Sequence, residues 1–472
     1  MHDLFSIRCC EPADLVQNTA IAFKVEYFRM SDHRSFELDK TQRHLGPIWL
    51  TPGVMPLNVI TYFYASAIAI GFVNLINLIQ PLVLQEQLGM TSGEGDFTAN
   101  LYIVAEITTL LAVGPLANLS DLIGRRPIFS AGFLIVCLAM IIYPTASSGT
   151  ELLIFRIIMS AGIACCTTMI ASIMADYPQN ASRGKFIGFN GIFTAIGVIV
   201  VGSGMTQLPK LFNSMGYTPI ESSTMTLWIA SGLSIVTALV TFSGIKKGRA
   251  ASHEEKLPFI KNAQLGLSEI RGSARLQLGC AATALSRGDL TVLASFFSLW
   301  IQKTGADQGI ESVVASATAG KLFGLTQIAM LFSLPVIAIL ADRLDRVTTL
   351  SISMFLAAIG YYALGVAPDP FNSSLIYVVI ILAGIGEGVM IVSVPALIGQ
   401  EAPSISRGSI IGVAASFGAM GIIVTNKFSG YLFDNLGYQV PFLFMGALNS
   451  CMLIWAITVR IKTGDSRKPR PV

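Results

Sequence analysis

Charged residues are scarce in this chain. Asp, Glu, Lys and Arg make up 12% of its 472 residues, against about 25% in ordinary soluble domains. Apolar residues reach 53%, and the mean hydropathy is +0.65. A water-soluble protein of this length needs more charge to cover its surface, so we expect lipid to solvate much of the chain. The net charge of +3 is also too small for a nucleic-acid footprint, and no nucleic-acid partner is expected.

The sequence also lacks the motifs of metal sites, nucleotide sites and hydrolases. Its seven cysteines show no spacing typical of a zinc site or a disulfide framework. The four histidines lie outside the long apolar runs. No Walker A, Gly-x-Ser-x-Gly or His-x-x-x-His sequence is present. We therefore expect no metal, no cofactor, no enzymatic activity and no ATP-driven step within this chain.

Long apolar runs dominate the chain after residue 56. Each run can cross a hydrocarbon core of about 30 Å at about 1.5 Å per helical residue, and a helix satisfies its own backbone in lipid. The twelve runs cover about 57–84, 99–117, 127–145, 152–174, 185–207, 224–243, 276–301, 320–340, 347–367, 373–396, 408–430 and 438–459. We therefore predict an all-α membrane protein with twelve transmembrane helices.

The runs divide into two sets of six. Residues 1–55 have no long apolar run and are predicted to form a cytoplasmic N-terminal tail, followed by a first half over 56–243. The connection 244–275 is the longest between helices and carries seven basic and three acidic residues. The second half covers 276–460, and 461–472 form a cytoplasmic C-terminal tail.

Lys and Arg predict the orientation. Of the 31 Lys and Arg residues, only Lys210 and Lys303 lie in loops on one side, while the tails and the loops of the other side hold most of the rest. By the positive-inside rule, both termini are cytoplasmic. We expect a multi-pass protein of the plasma (inner) membrane.

Two pairs of short segments indicate an internal duplication. Residues 117–127 follow the second run and 338–346 follow the eighth, and both read small-x-Leu-small-Asp-x-x-x-Arg, 221 residues apart. A second pair lies before runs five and eleven. It comprises Asp176-Tyr177-Pro178 with Arg183-Gly184, Gly188 and Gly197, and Glu401-Ala402-Pro403 with Arg407-Gly408, Gly412 and Gly421. Segments that recur in the same order at nearly equal offset favour two homologous halves.

The first pair resembles the signature of the major facilitator superfamily, Gly-x-Leu-Ala/Ser-Asp-Arg-x-Gly-Arg-Arg/Lys. The matching residues are Leu119, Ser120, Asp121, Gly124, Arg125 and Arg126 in the first copy, and Leu340, Ala341, Asp342, Arg343 and Arg346 in the second. Ala117, Leu122 and Asp345 depart from the pattern. The resemblance covers about 57–460. It implies two pseudo-symmetric six-helix bundles that carry a substrate between them by alternating access.

The resemblance also implies a cytoplasmic latch of charge pairs that holds the outward-open state. Asp121 suits the positive end of a helix, such as helix eleven. Arg125 or Arg126 is expected to pair with Asp176, and Arg346 with Glu401. The alternative is that these basic residues only set the topology. The predicted latch comprises Asp121, Gly124, Arg125, Arg126, Asp176, Arg183, Asp342, Arg343, Arg346, Glu401 and Arg407.

Charges inside a membrane are costly and need a physical reason. Arg156 shares a helix face with Ser160 and Thr167. The resemblance implies that Arg156 acts in proton coupling or anion binding, and a structural ion pair is the alternative. Glu106 is either a proton-titrating carboxylate or the static partner of an arginine.

Helices seven and ten carry the remaining charges considered for the cavity. Arg287 and Asp289 point about 200° apart on a regular helix and cannot pair along it. Gly288 is a candidate break in that helix; otherwise each charge has a partner on a different helix. Glu387 lies among glycines that favour close helix packing, although its side chain could also face the cavity.

A polar stripe on helix one completes the candidate site, and it serves either substrate or neighbouring helices. The predicted cavity residues are Asn74, Asn77, Gln80, Glu106, Arg156, Arg287, Asp289 and Glu387. We expect a monomeric, proton-coupled secondary carrier of a small organic solute, with the direction of transport open. The alternatives are a drug/proton antiporter and, more remotely, a membrane sensor or scaffold that moves no solute.

Overall fold

The computed structural model describes residues 42–248, 259–403 and 406–464. Twelve long helices, α1 to α12, account for most of this part of the chain. They are Pro56–Glu86, Glu94–Ile123, Arg125–Ile142, Gly149–Asp176, Arg183–Gly197, Pro219–Gly244, Ala274–Asp307, Ser312–Arg343, Arg346–Gly365, Ile376–Glu401, Arg407–Leu436 and Val440–Thr463. Helix α5 continues as a π-helix over Val198–Ser203 and is followed by a short helix, Leu208–Ser214.

Eleven spans in the described part of the chain are long and apolar enough to cross a membrane. The twelfth long helix, α7, is 34 residues long but carries several charges, among them Arg287, Asp289 and Lys303. The twelve-helix prediction is confirmed, with α1–α6 and α7–α12 as two six-helix halves. Local sequence explains the start of α6, which has Pro219 at its first position and a reciprocal Thr218–Glu221 capping box.

Two further elements lie outside the predicted spans. A hairpin pairs β1, His44–Leu45, with β2, Ile48–Trp49, and packs against the first half through the buried Ile48. A helix over Phe259–Gly272, here called the linker helix, lies in the connection between the halves and packs against α11. The sequence predicted neither element. Residues 1–41 and 465–472 of the predicted tails lie outside the described residues, and the domain boundaries stay predictions.

The two halves repeat one close helix contact. In the first, Gly197 of α5 lies so close to Ala67 of α1 that an added Cβ would overlap the Ala67 carbonyl. In the second, Gly421 of α11 meets the carbonyl of Ala284 of α7 in the same way. Gly197 and Gly421 are the equivalent glycines of the sequence repeat, so the duplication is also a duplication of packing.

Contact between the halves is concentrated at one face of the molecule. We call the side where the chain enters α1 and leaves α12 the terminal face, and the other side the opposite face. Near the opposite face, Ala99 of α2 is 0% exposed and lies against Gly430 of α11. Toward the terminal face, Leu110 and Val113, on the same side of α2 as Ala99, are 51% and 40% exposed. The conformation is therefore closed at the opposite face and open along α2 toward the terminal face.

Candidate functional site between the two halves

A cavity of about 540 Å³ lies on the second half, between α7, α10 and α11. Its wall combines apolar side chains with Thr283, Ser286, Thr291 and the exposed Arg287. The Arg287 side chain lies against Gly418 of α11, where any side chain would contact it. A cationic group on a mostly apolar wall is a typical arrangement for binding a small polar solute.

Glu106 supplies a charge of opposite sign from the other half. It lies midway along α2, where its residue is partly exposed, and the Arg287 guanidinium acts on its carboxylate electrostatically. Because α2 and α7 belong to different halves, a rocking motion of the halves changes the separation of these two charges. Glu106 and Arg287 therefore lie close enough to interact across the two halves.

Arg156 lies inside the first half rather than on an open wall. Its residue is 4% exposed, and Nη2 donates to Oδ1 of Asn77 at 2.8 Å. Its guanidinium lies 5.3 Å from the ring centre of Tyr102, on α2. No carboxylate among the described residues pairs with Arg156, and its Nη1 has no hydrogen-bond partner there. An unpaired buried guanidinium is costly and marks a functional candidate.

The polar stripe of α1 mostly contacts neighbouring protein groups. Asn77 binds Arg156, and Gln80, which is 1% exposed, donates to Thr98 Oγ1 at 3.3 Å. Asn74 is partly exposed; its Nδ2 donates to the Ile70 carbonyl, and its Cβ lies against Gly202 in the π-helical segment. π-Helical turns inside long helices are frequent at functional sites. Asn74 is thus the member of the stripe with partial exposure, whereas Asn77 and Gln80 are buried.

Asp289 and Glu387 do not reach the cavity wall in this conformation. Asp289 is 0% exposed, and both of its carboxylate oxygens accept from Asn449 Nδ2 of α12 at 3.0 Å. Glu387 is 1% exposed, and its Oε2 accepts from the Tyr361 hydroxyl of α9 at 3.2 Å. The correction follows from helix geometry: α7 is helical through Gly288, so Asp289 faces α12 while Arg287 faces the cavity.

The first copy of the predicted latch forms pairs within its own half. Arg125 binds Asp121, four residues earlier, at 2.7 Å and Asp176 at 3.0 Å. Arg126 instead stacks on the ring of Phe242 at 4.1 Å. Gly124 has φ +99°, a left-handed conformation that favours glycine and turns the chain from α2 into α3. Arg183 donates to the Ala175 carbonyl.

The second copy pairs differently from the prediction. Glu401 binds Arg275 at 2.9 Å rather than Arg346. Arg346 instead donates to Gln400, and Arg407 to the Ala402 carbonyl. Arg343 is exposed, and the side chain of Asp342 lies outside the described part of the structure.

Arg275 is the residue that the sequence analysis missed in this copy. It also binds Asp345 at 3.2 Å and the Gly464 carbonyl at 2.6 Å. Asp345 replaces the motif glycine and caps the start of α9 through Val347 N. It thereby provides a buried carboxylate that the first copy lacks, and Arg275 bridges this carboxylate and Glu401.

The closure at the opposite face is a second set of contacts that the sequence analysis missed. Asp434 of α11 accepts from the backbone N–H groups of Gly95 and Asp96 at 2.9 and 2.7 Å, and so caps the start of α2. Lys427 binds Asp96 at 2.6 Å, and Lys303 of α7 pairs with Glu94. Four of these charged residues lie in predicted loops, whereas Lys427 lies within the predicted span 408–430.

The sequence matches a known protein family. A family model described as Major Facilitator Superfamily matches residues 62–425 and 279–472. The chain belongs to the major facilitator superfamily. It is therefore a multi-pass integral membrane protein of a transporter family and not an enzyme.

The chain is also similar to two magnetosome proteins and shares its fold with a solved structure. Magnetosome protein MamH of Paramagnetospirillum magneticum is 26% identical over 86% of this chain and 92% of its own length. Magnetosome protein MamZ of the same organism is 27% identical over 80% of this chain, which spans 59% of MamZ. A crystal structure of a mutant of the nucleoside transporter NupG shares the fold, with a TM-score of 0.70, 15% identity, and coverage of 85% of this chain and 99% of that one.

Proposed function

We propose that this superfamily member is a secondary active, proton-coupled carrier of a small organic solute, working by alternating access as a monomer. The observation that carries the proposal is the one-sided contact between the halves. They are held together at the opposite face, while a charged cavity lies on the side that opens along α2. A carrier in one of its two end states has this asymmetry.

Glu106 is the proposed coupling group at the cavity. When it is ionised, it is attracted to Arg287 across the interface between the halves. A solute that neutralises Arg287, or a motion that separates the two helices, removes this attraction and favours proton uptake by the carboxylate. Solute binding and proton binding at Glu106 are thereby linked.

Arg156 is the proposed second binding group. Its free Nη1 and its position beside Asn77 and Tyr102 suit an acceptor oxygen of the solute. A charge-assisted hydrogen bond of this kind contributes about 1.5–3 kcal/mol, or about 10- to 100-fold in affinity. Since Arg156 is buried here, we place its solute contact in the conformation that opens at the opposite face.

The excess of Lys and Arg in loops of the terminal face supports a cytoplasmic location for that face. We therefore propose that the protein lies in a plasma (inner) membrane with cytoplasmic termini and that this conformation faces inward.

The test is transport in proteoliposomes with and without an imposed pH gradient, using labelled sugars, organic acids, amino acids and lipophilic cations. We expect one solute class to accumulate with the gradient. In Glu106→Gln, gradient-driven accumulation should be abolished while solute exchange continues, and Arg156→Met should weaken solute binding about 10- to 100-fold.

Lys321→Met is the matched control, because Lys321 is an exposed cation of α8 that contacts Tyr377 away from the cavity. Accumulation that survives in Glu106→Gln would contradict the coupling assignment. Gradient-driven movement of lipophilic cations alone would favour a drug/proton antiporter, and binding without movement of any solute would favour a sensor.

A further inference from the structure

A pair of carboxylates is enclosed within the second half, away from the cavity. Asp289 comes from α7 and Glu387 from α10, and the two groups act on each other electrostatically. Both also act on the Tyr361 hydroxyl, so the three groups form one cluster. Asn449 binds Asp289 from α12. Four helices therefore contribute one polar group each to a site that is at most 3% exposed.

No cation in the described part of the chain balances this cluster, and neither Asp289 nor Glu387 forms an ion pair there. The charged groups on the helices around α7 are engaged elsewhere: Arg287 and Glu106 at the cavity, Lys321 with Tyr377, Lys427 with Asp96, Lys303 with Glu94, and Arg275 and Arg460 with Asp345. Two like charges in a dry interior repel each other and have lost their hydration, so ionisation of both is strongly disfavoured.

Two acceptor oxygens in this cluster have no hydrogen-bond donor. Asp289 accepts twice from Asn449, an arrangement that suits an ionised carboxylate. Glu387 accepts from Tyr361 through Oε2, while its Oε1 has no partner. Oδ1 of Asn449, in the same cluster, is an acceptor without a donor as well. A proton on Glu387 Oε1 turns one of these two unmatched acceptors into a hydroxyl donor.

We propose that the Asp289–Glu387 pair binds one proton inside the second half, carried by Glu387 while Asp289 stays ionised. The proton comes from water and leaves a neutral carboxylic acid at Glu387, so the pair holds a single negative charge that Asn449 stabilises. This site is separate from Glu106, which lies on α2 of the other half.

Helix α7 connects this site to the cavity. Arg287 on one face of α7 meets the cavity, and Asp289, two residues later, belongs to the proton site. A shift of α7 during rocking therefore changes both environments together. This coupling role rests on the proposed function, whereas proton binding itself does not, and the two are measured separately.

The experiment is infrared difference spectroscopy of the purified full-length protein, titrated in H₂O and D₂O. The carbonyl stretch of a protonated carboxylic acid, which shifts in D₂O, reports the bound proton directly. We expect such a band at neutral pH in the wild type, its loss in Glu387→Gln, and its retention in Glu106→Gln.

The pH dependence of thermal stability is a second measurement, which does not depend on resolving overlapping infrared bands. A glutamine side chain is not charged at any pH, so thermal stability in Glu387→Gln should change less between neutral and alkaline pH than in the wild type. Loss of the band in Glu106→Gln rather than in Glu387→Gln would overturn the proposal, as would its removal by added sodium at constant pH. A wild-type protein with proton binding but no gradient-driven transport would contradict only the proposed function.

Discussion

Individual charged residues in this protein are explained by which neighbours surround them rather than by where they lie in the sequence. Arg287 and Asp289 are two positions apart and serve different sites, and helical periodicity predicts that they diverge. The groups that these two residues bind do not follow from periodicity. Asp289 meets an asparagine of α12, 160 residues away. Such pairings depend on how the helices pack, and individual contacts between distant helices cannot be predicted from a single sequence.

Arg275 allows a prediction at the same scale. It is 5% exposed and bridges Asp345 and Glu401, so Arg275→Ala leaves a buried carboxylate with one partner fewer. Removing one member of a buried pair costs about 3–5 kcal/mol. We expect a loss of about that size in the free energy of unfolding, measured by denaturant titration of the purified protein. Arg271→Ala, four residues earlier and exposed, should change it by less than about 0.5 kcal/mol. Equal effects of the two variants would contradict the assignment.

At the scale of helices, the sequence was most informative. Twelve apolar runs predicted twelve long helices, because apolar length and backbone satisfaction leave few alternatives in lipid. The linker helix and the β1–β2 hairpin were not predicted, since both are short and depend on contacts with the helical halves. The motif residues were found, yet the partner of Glu401 was not, because Arg275 lies outside both repeated segments.

The repeated glycines give a prediction about helix packing. Gly197→Ala and Gly421→Ala place a methyl group into the carbonyls of Ala67 and Ala284, so the helices must separate. Overpacking of this kind costs about 3 kcal/mol, and we expect both variants to lower the thermal unfolding temperature of the purified protein. Gly188 and Gly412 recur in the same repeat.

Those two glycines provide the matched control. They have open space where a Cβ would lie, and alanine is a better helix former than glycine by about 1 kcal/mol. Gly188→Ala and Gly412→Ala should therefore be neutral or stabilising. Destabilisation in all four variants would mean that helix flexibility, rather than close packing, explains the repeated glycines.

For the whole molecule, contacts at the opposite face stabilise this conformation relative to the one that opens there. The ion pairs at the opposite face differ in burial. The side chain of Glu94 is 4% exposed and pairs with Lys303, whereas Asp96 and Lys427 are 45% and 51% exposed. An exposed pair contributes about 0–1 kcal/mol, but a buried carboxylate that loses its partner is strongly destabilised. Opening of this face hydrates Glu94, so loss of Lys303 penalises mainly the conformation described here.

Lys303→Met should therefore shift the population toward closure at the terminal face, while Lys427→Met should change it little. The measurement is the distance between spin labels at Leu122→Cys on α2 and Ile411→Cys on α11, in a background without native cysteines. Both positions are exposed and near the terminal face on different halves. A shift of about 1.4 kcal/mol raises the ratio of short to long distances about tenfold. Because both lysines bind the first turn of α2, equal shifts would show that net charge, and not burial, holds the opposite face closed.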